Sequence, residues 1–388
     1  MHDIMHSRHI SPRAWPTARP RALAHCAARA TAAALLGLSS GLLCGPAQGA
    51  PADARLLSAI RAGDYAGVRN LLATHAANPN QLLPDGSTPL SWAVETQDPA
   101  LVKLLLQERA RPDAMPGAAA NAATAPLLLA CEHGNSAVLN LLLDAHADVK
   151  RARPDGITAL EVCAGHAPMP VVQRLLAGGA TADHVDSAGQ TALMWAAMQG
   201  HADTVRLLLA RGAAPNRTTA NGFTPLFFAI KSGDAQTAAV LLDAGGDPDH
   251  RTADGTTAVQ LAFYQHNYGF AQRMIERGAD LAALDRNGNT LLHAAVLARQ
   301  PQLVQLLLAK GADPNALTGP SKVHWRYEAN FKTADYEQPP TSPLMLATRA
   351  RDTELMRILT DAGARLCPST SAPAASADAT GAAATTCR

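Results

Sequence analysis

A threonine recurs along this chain at a fixed interval, and that interval restricts the fold more than any other feature. Thr158-Ala159-Leu160, Thr191-Ala192-Leu193, Thr224-Pro225-Leu226, Thr257-Ala258-Val259 and Thr290-Leu291-Leu292 begin 33 residues apart. Ala125-Pro126-Leu127 extends the series backwards by the same step, and Thr88-Pro89-Leu90 lies 37 residues before it. Ser342-Pro343-Leu344 follows Thr290 by 52 residues, one period plus an insertion of 19. Self-similarity at about 20–50 residues implies an array in which each unit buries its face only against its neighbours.

Each period spells the same local structure. A glycine two residues before the threonine (Gly86, Gly156, Gly189, Gly222, Gly255, Gly288) marks a tight turn. The threonine then caps a helix with Pro or Ala in its first turn. Small residues such as Ala196-Ala197 and Ala294-Ala295 in that helix let a neighbour approach closely. A second helix carries Val-x-x-Leu-Leu-Leu patterns, as from Val205 to Leu209 and from Val304 to Leu308. It ends at Gly179, Gly212, Gly278 or Gly311, where glycine takes a left-handed cap.

Composition agrees with helices. The chain of 388 residues is 47% hydrophobic yet only 4% aromatic, so Ala, Leu and Val supply the apolar content. Ala and Leu have the best helix propensity, whereas a β-sandwich needs β-branched and aromatic residues. A net charge of +1 leaves no electrostatic footprint for nucleic acid.

These motifs resemble the ankyrin repeat, whose Thr-Pro-Leu-His and Leu-Leu-Leu-x-x-Gly-Ala-Asp-x-Asn signatures recur across 54–365. Asn216 and Asn315 complete the second signature, and His293 matches the family's histidine. Ser91, Leu128, Glu161, Met194, Phe227, Gln260 and Met345 stand at the histidine position in other units. That departure predicts weaker hydrogen bonding between units. The resemblance implies an all-α solenoid of about nine helix-turn-helix units joined by β-hairpin-like loops. An N-terminal cap spans 54–80, seven units 82–316, and a polar terminal unit 317–365.

Residues 1–49 read as a cleavable signal peptide. Arg8, Arg13, Arg19, Arg21 and Arg29 precede an apolar run from Ala30 to Leu43 and a small-residue exit ending at Gly49. Its removal takes away five arginines and one acid, leaving 28 basic and 31 acidic residues, net −3. After cleavage no membrane insertion is expected. Residues 366–388 are rich in Ala, Ser, Thr and Pro and read as a disordered tail.

Catalytic signatures do not occur beyond the leader: after residue 49 the chain has no Gly-Lys-Ser/Thr, His-Glu-x-x-His, Cys-x-x-Cys or Gly-x-Ser-x-Gly. His133 and His166 hold equivalent positions in adjacent units, but no third metal ligand is in register. No catalytic residue, cofactor or metal is expected. Cys131 and Cys163 replace small helix residues one position out of register, which predicts packed thiols rather than a disulfide. Cys367 and Cys387 are placed to close the tail as a loop. Trp92, Trp195 and Phe228 share one helix position and read as core.

The binding candidates lie elsewhere. Segment 318–340 interrupts one unit and holds Trp325, Tyr327, Phe331 and Tyr336, four of the 14 aromatic residues after residue 49, beside Arg326, Lys322 and Lys332. Loops on rigid scaffolds carry function, and Trp, Tyr and Arg dominate binding hot spots. Ile157, Met198, Phe223, Lys231, Tyr264, Gln265, Arg286 and Leu297 are expected on the surface made by the hairpins and first helices. Met198, Phe223, Tyr264 and Leu297 form an apolar strip there, a usual mark of a partner site. The resemblance implies a monomeric, non-catalytic periplasmic scaffold binding another protein, an accessory factor for a periplasmic enzyme among the options. A translocated effector or toxin-neutralising protein is the alternative.

Overall fold

The computed structural model describes residues 52–83, 87–114, 124–319 and 339–366. The leader 1–49, Asp85, Gly86, Cys367, Cys387 and most of the insertion lie outside them. Eighteen helices, in nine pairs, account for the described residues. They begin with α1 (Ala52–Ala62) and α2 (Tyr65–Ala73), α3 (Pro89–Glu95) and α4 (Pro99–Gln107), α5 (Pro126–His133) and α6 (Ser136–Asp144). Next come α7 (Ala159–His166) and α8 (Met169–Ala177), α9 (Ala192–Met198) and α10 (Ala202–Ala210), α11 (Pro225–Ser232) and α12 (Ala235–Asp243). The series closes with α13 (Ala258–Tyr264) and α14 (Tyr268–Glu276), α15 (Leu291–Leu297) and α16 (Pro301–Ala309), α17 (Pro343–Arg349) and α18 (Thr353–Asp361). Among the described residues no strand occurs and no helix is long and apolar enough to cross a membrane.

Caps set where each helix starts. The Thr88 and Thr191 hydroxyls accept from the backbone of Ser91 and Met194, at 3.0 and 3.4 Å. Asp98, Asn135 and Asp234 cap second helices in the same way. Apart from α1, every helix has seven to nine residues, too short to persist alone in water. Stability therefore comes from stacking. First helices pack on first helices and second on second, giving two helical layers. One small residue in each first helix from α3 onwards makes this possible: Ala93, Ala130, Cys163, Ala196, Ala229, Ala262, Ala295 and Ala347 are all fully buried.

The hairpins stack as a third tier through the backbone. Ser187 donates to the Asp155 carbonyl at 3.0 Å, Ala220 to Ala188 at 3.3 Å and Ala253 to Asn221 at 3.2 Å. Gly189, at φ 77°, leaves room for this, because a Cβ there would lie 2.9 Å from the Thr219 Cα. On the opposite side, Asn216 receives the Asp247 amide at 2.9 Å and donates to the Gly245 carbonyl at 2.9 Å. Asn80 and Asn315 make the same two-sided bridge, while Asp183 and Asp249 supply only its accepting half. The terminal unit exposes Arg349, Arg351, Glu354 and Arg357, as a cap facing water requires.

One expectation is corrected and another gains an exception. Cys131 and Cys163 form a disulfide between α5 and α7, with Cα atoms 4.7 Å apart. Equal register was the wrong test for pairing: adjacent first helices are staggered, so a residue in α5 faces the residue one place earlier in the α7 register. Alanine-sized packing then brings the two backbones within disulfide reach. The expected loss of hydrogen bonding between units at the missing histidines has one exception. Gln260 accepts from Thr257 N at 2.9 Å and donates to the Ala283 carbonyl of the following unit at 3.2 Å. It thereby copies His293, whose Nε2 meets the Thr341 carbonyl at 2.9 Å.

Converting both Cys131 and Cys163 to alanine is expected to lower stability by about 2–4 kcal/mol in urea unfolding. A reductant should then leave the variant unchanged while destabilising the parent. Asn216→Ala removes two hydrogen bonds between units and is expected to cost about 1–3 kcal/mol by the same measurement.

Candidate functional site

The last turn of each first helix and the end of each hairpin lie at the border of the core, so their side chains meet solvent. Met198, Lys231, Tyr264 and Leu297 hold one equivalent place in α9, α11, α13 and α15, 33 residues apart. Stacked helices lie about 8–10 Å apart, so three steps make a row about 24–30 Å long. Leu297 is 48% exposed, Lys231 and Gln265 are exposed, and Met198 and Tyr264 are half-buried. Lys231 therefore puts a charge into the apolar strip.

Phe223 projects beside this row from the hairpin residue before Thr224 and is 38% exposed. Its ring meets Phe227 and Phe228 edge-on, with centroids 5.8 and 6.3 Å away. Its backbone is held on both sides, since Phe223 N donates to Thr219 Oγ1 at 3.1 Å and Thr219 N to the Phe223 carbonyl at 3.0 Å. An exposed ring held in one place loses little entropy when a partner covers it.

Tyr264 is fixed differently. Its hydroxyl donates to Asp285 Oδ2 at 2.9 Å, and the exposed Arg286 guanidinium lies 5.2 Å over its ring. Asp285 is buried, and its other oxygen accepts from the amides of Asn287 and Asn289 at 2.8 and 2.7 Å. Burial, and then the Asp285 charge, drive the Tyr264 hydroxyl above its ordinary pKa, so it remains a donor. Tyr264, Asp285 and Arg286 thus join α13 to the next hairpin and present a cation over an aromatic face.

The N-terminal part of the same surface is charged. Glu95 pairs with His133 at 3.5 Å, and Glu132 with Arg153 at 3.2 Å. Burial holds the Glu132 carboxyl above its usual value against the pull of Arg153. The Nδ1 of His166 meets the Val162 carbonyl in its own helix at 3.0 Å. Among the described residues no group of three or more His, Cys, Asp or Glu is arranged to hold a metal.

Placement corrects part of the candidate set. Ile157, expected at the surface, is buried. Trp195 is buried as expected, but Trp92 and Phe228 are only half-buried at the core edge. Trp325, Arg326, Tyr327, Phe331 and Tyr336 lie outside the described residues. The base of their segment is closed: Thr318 N donates to the Thr341 carbonyl and Thr341 N to Thr318 Oγ1, both at 3.0 Å. The sequence alone did not single out Val185, Leu284 and Leu317, which are 40, 41 and 41% exposed on the hairpins. Their signal was present, because all three occupy one place in the 33-residue period.

A family model described as ankyrin repeats (3 copies) matches residues 56–153, 160–252 and 234–318, more than half of the chain. The B-cell lymphoma 3 protein of Homo sapiens is 40% identical over 103 residues, which make up 26% of this chain and 22% of that protein. The matched region is thus under a quarter of that relative's length. A crystal structure of the ankyrin repeat domain of Bcl-3, described as a unique member of the IkappaB protein family, is 28% identical. That likeness covers 54% of this chain and 93% of the other, with a TM-score of 0.45.

Tyr264→Phe keeps the ring under Arg286 and removes one bond to a buried carboxylate. It is expected to lower stability by about 1–3 kcal/mol in chemical unfolding.

Proposed function

The chain belongs to the ankyrin-repeat family, and on that premise we propose that it is an exported, non-catalytic scaffold that binds another protein. The contact face is the surface built from Met198, Phe223, Lys231, Tyr264, Gln265, Arg286 and Leu297, with the 318–340 segment beside it. One observation carries this reading: Phe223 and Leu297 expose apolar surface on elements whose backbone is already ordered. Rigid aromatic and aliphatic anchors flanked by Lys231 and Arg286 have the character of a protein-binding hot spot. The polar pairs Glu95–His133 and Glu132–Arg153 supply a polar border at the N-terminal end.

Two features support export. Residues 1–49 have the basic, apolar and small-residue parts of a secretory signal. The Cys131–Cys163 disulfide suits an oxidising compartment such as the periplasm. A monomer that takes its partner on one face, without cofactor, fits both.

The test is affinity capture from the periplasm of the source cell, using the tagged full chain. One partner protein should be recovered, and Phe223→Ser with Leu297→Ser should reduce its recovery at least tenfold with the thermal midpoint unchanged. A second variant lacking 320–338 measures the share of the insertion. Capture unaffected by either change would sink this assignment of the face. Recovery of the protein mainly outside the cell would instead favour a translocated effector.

A further inference from the structure

Glu161 is the one side chain at the family histidine position that can ionise to an anion, and it is completely buried. It sits in the first turn of α7, where its Oε2 accepts from Thr158 N at 2.5 Å and from Thr158 Oγ1 at 3.0 Å. Its other oxygen, Oε1, is buried with no hydrogen-bond partner. An ionised carboxylate in that place would leave a buried lone pair and a net charge unanswered, at high cost.

The periodicity points to the group that Oε1 would meet. Gln260 stands three periods after Glu161 and His293 four. Gln260 uses one end to accept from its helix cap and the other, Nε2, to donate to the carbonyl 23 residues ahead, at Ala283. His293 likewise holds Thr290 Oγ1 at 2.8 Å through Nδ1 and meets the Thr341 carbonyl through Nε2 at 2.9 Å, with the Ala316 backbone also acting on the ring. Ala316 is again 23 residues ahead. For Glu161 that residue is His184. In both units where the bond is made, the outer atom of the side chain is a donor. A carboxyl becomes a donor only when protonated.

We propose that Glu161 is a proton-operated latch: its neutral carboxyl donates from Oε1 to the His184 carbonyl and ties the unit starting at Thr158 to the one starting at Thr191. The proton comes from solvent and returns to it when the joint opens. No other co-reactant is involved, and the latch does not depend on what the array binds.

The surroundings favour the neutral form. Burial raises the Glu161 carboxyl to about 7, against the opposing hydrogen bonds from Thr158. On the hairpin packed against it, the groups that face it are His184, which favours the charged form, and Asp186, which opposes it. His184 is already engaged through Nε2 with the Gly156 carbonyl at 2.9 Å. α9 has no ionisable side chain. Those of α5, Glu132 and His133, lie in its last turn and pair with Arg153 and Glu95. Arg174 of α8 pairs with Asp144.

The pH window follows from linkage. The folded value, about 7, lies above the ordinary glutamate value of 4.5. The latch is therefore at full strength below the lower value, weakens as pH rises between the two, and is lost above the upper one. On its N-terminal side the same unit is held by the Cys131–Cys163 disulfide. Deprotonation thus loosens the joint on the C-terminal side while the other stays locked.

Glu161→Gln, the residue already at 260, tests this in the full chain. Urea midpoints of parent and variant should coincide most nearly at about pH 5 and separate as pH rises to about 7.5, the parent falling relative to the variant. Parallel profiles over that range would overturn the latch. An infrared measurement does not depend on that variant folding. With glutamate carboxyl groups carbon-13 labelled and Glu132→Gln removing the other glutamate raised among the described residues, a protonated-carboxyl band should persist at about pH 6 and vanish as pH passes about 7. Absence of that band at about pH 6 would equally overturn it.

Discussion

Everything in this protein depends on the contact between one short helical pair and the next. A helix of seven to nine residues does not survive alone, and each pair has its apolar side chains on faces that only a neighbour can cover. The joint is built in three tiers. Alanine-sized residues let the first helices meet, leucines and valines join the second helices, and backbone or Asn/Asp bridges link the loops at both edges. Since each unit touches only its neighbours, stability behaves as a sum of joints. Chemistry placed at a joint acts on the whole array.

The same constraint creates the candidate binding surface. Packing claims the small residues in the middle of each first helix and leaves the last turn and the hairpin end free to vary. Phe223, Tyr264 and Leu297 occupy those free positions, yet they are attached to backbone that the stack has already ordered. Tyr264 shows that the two roles overlap, because its hydroxyl holds Asp285 in the next hairpin while part of the side chain meets solvent. Exposure at such positions is a by-product of the architecture. Their apolar character is what calls for a partner.

Much of the fold was legible from spacing, because a 33-residue period with Thr caps and terminal glycines repeats the same physical instructions. The row from Met198 to Leu297 was legible for the same reason: periodic positions in sequence become a line in space. The errors fall where two units meet. Ile157 was assigned to the surface by analogy of position, but in its own unit it packs inward. Cys131 and Cys163 were judged against equal register, whereas the true neighbour across a joint is offset by one residue. Glu161 and Gln260 were taken as losses of a histidine, although Gln260 restores the bond.

The sequence by itself determined the unit, its caps, the number of units and which positions are free to vary, because these follow from local propensity and periodicity. Only the tertiary structure decided which residues touch across a joint. The stagger of neighbouring helices paired two cysteines that the period places apart. Stacking also buried one oxygen of Glu161 without a partner and fixed Phe223 against Phe227 and Phe228. Such contacts depend on sub-turn offsets between packed helices, which a one-dimensional period does not contain.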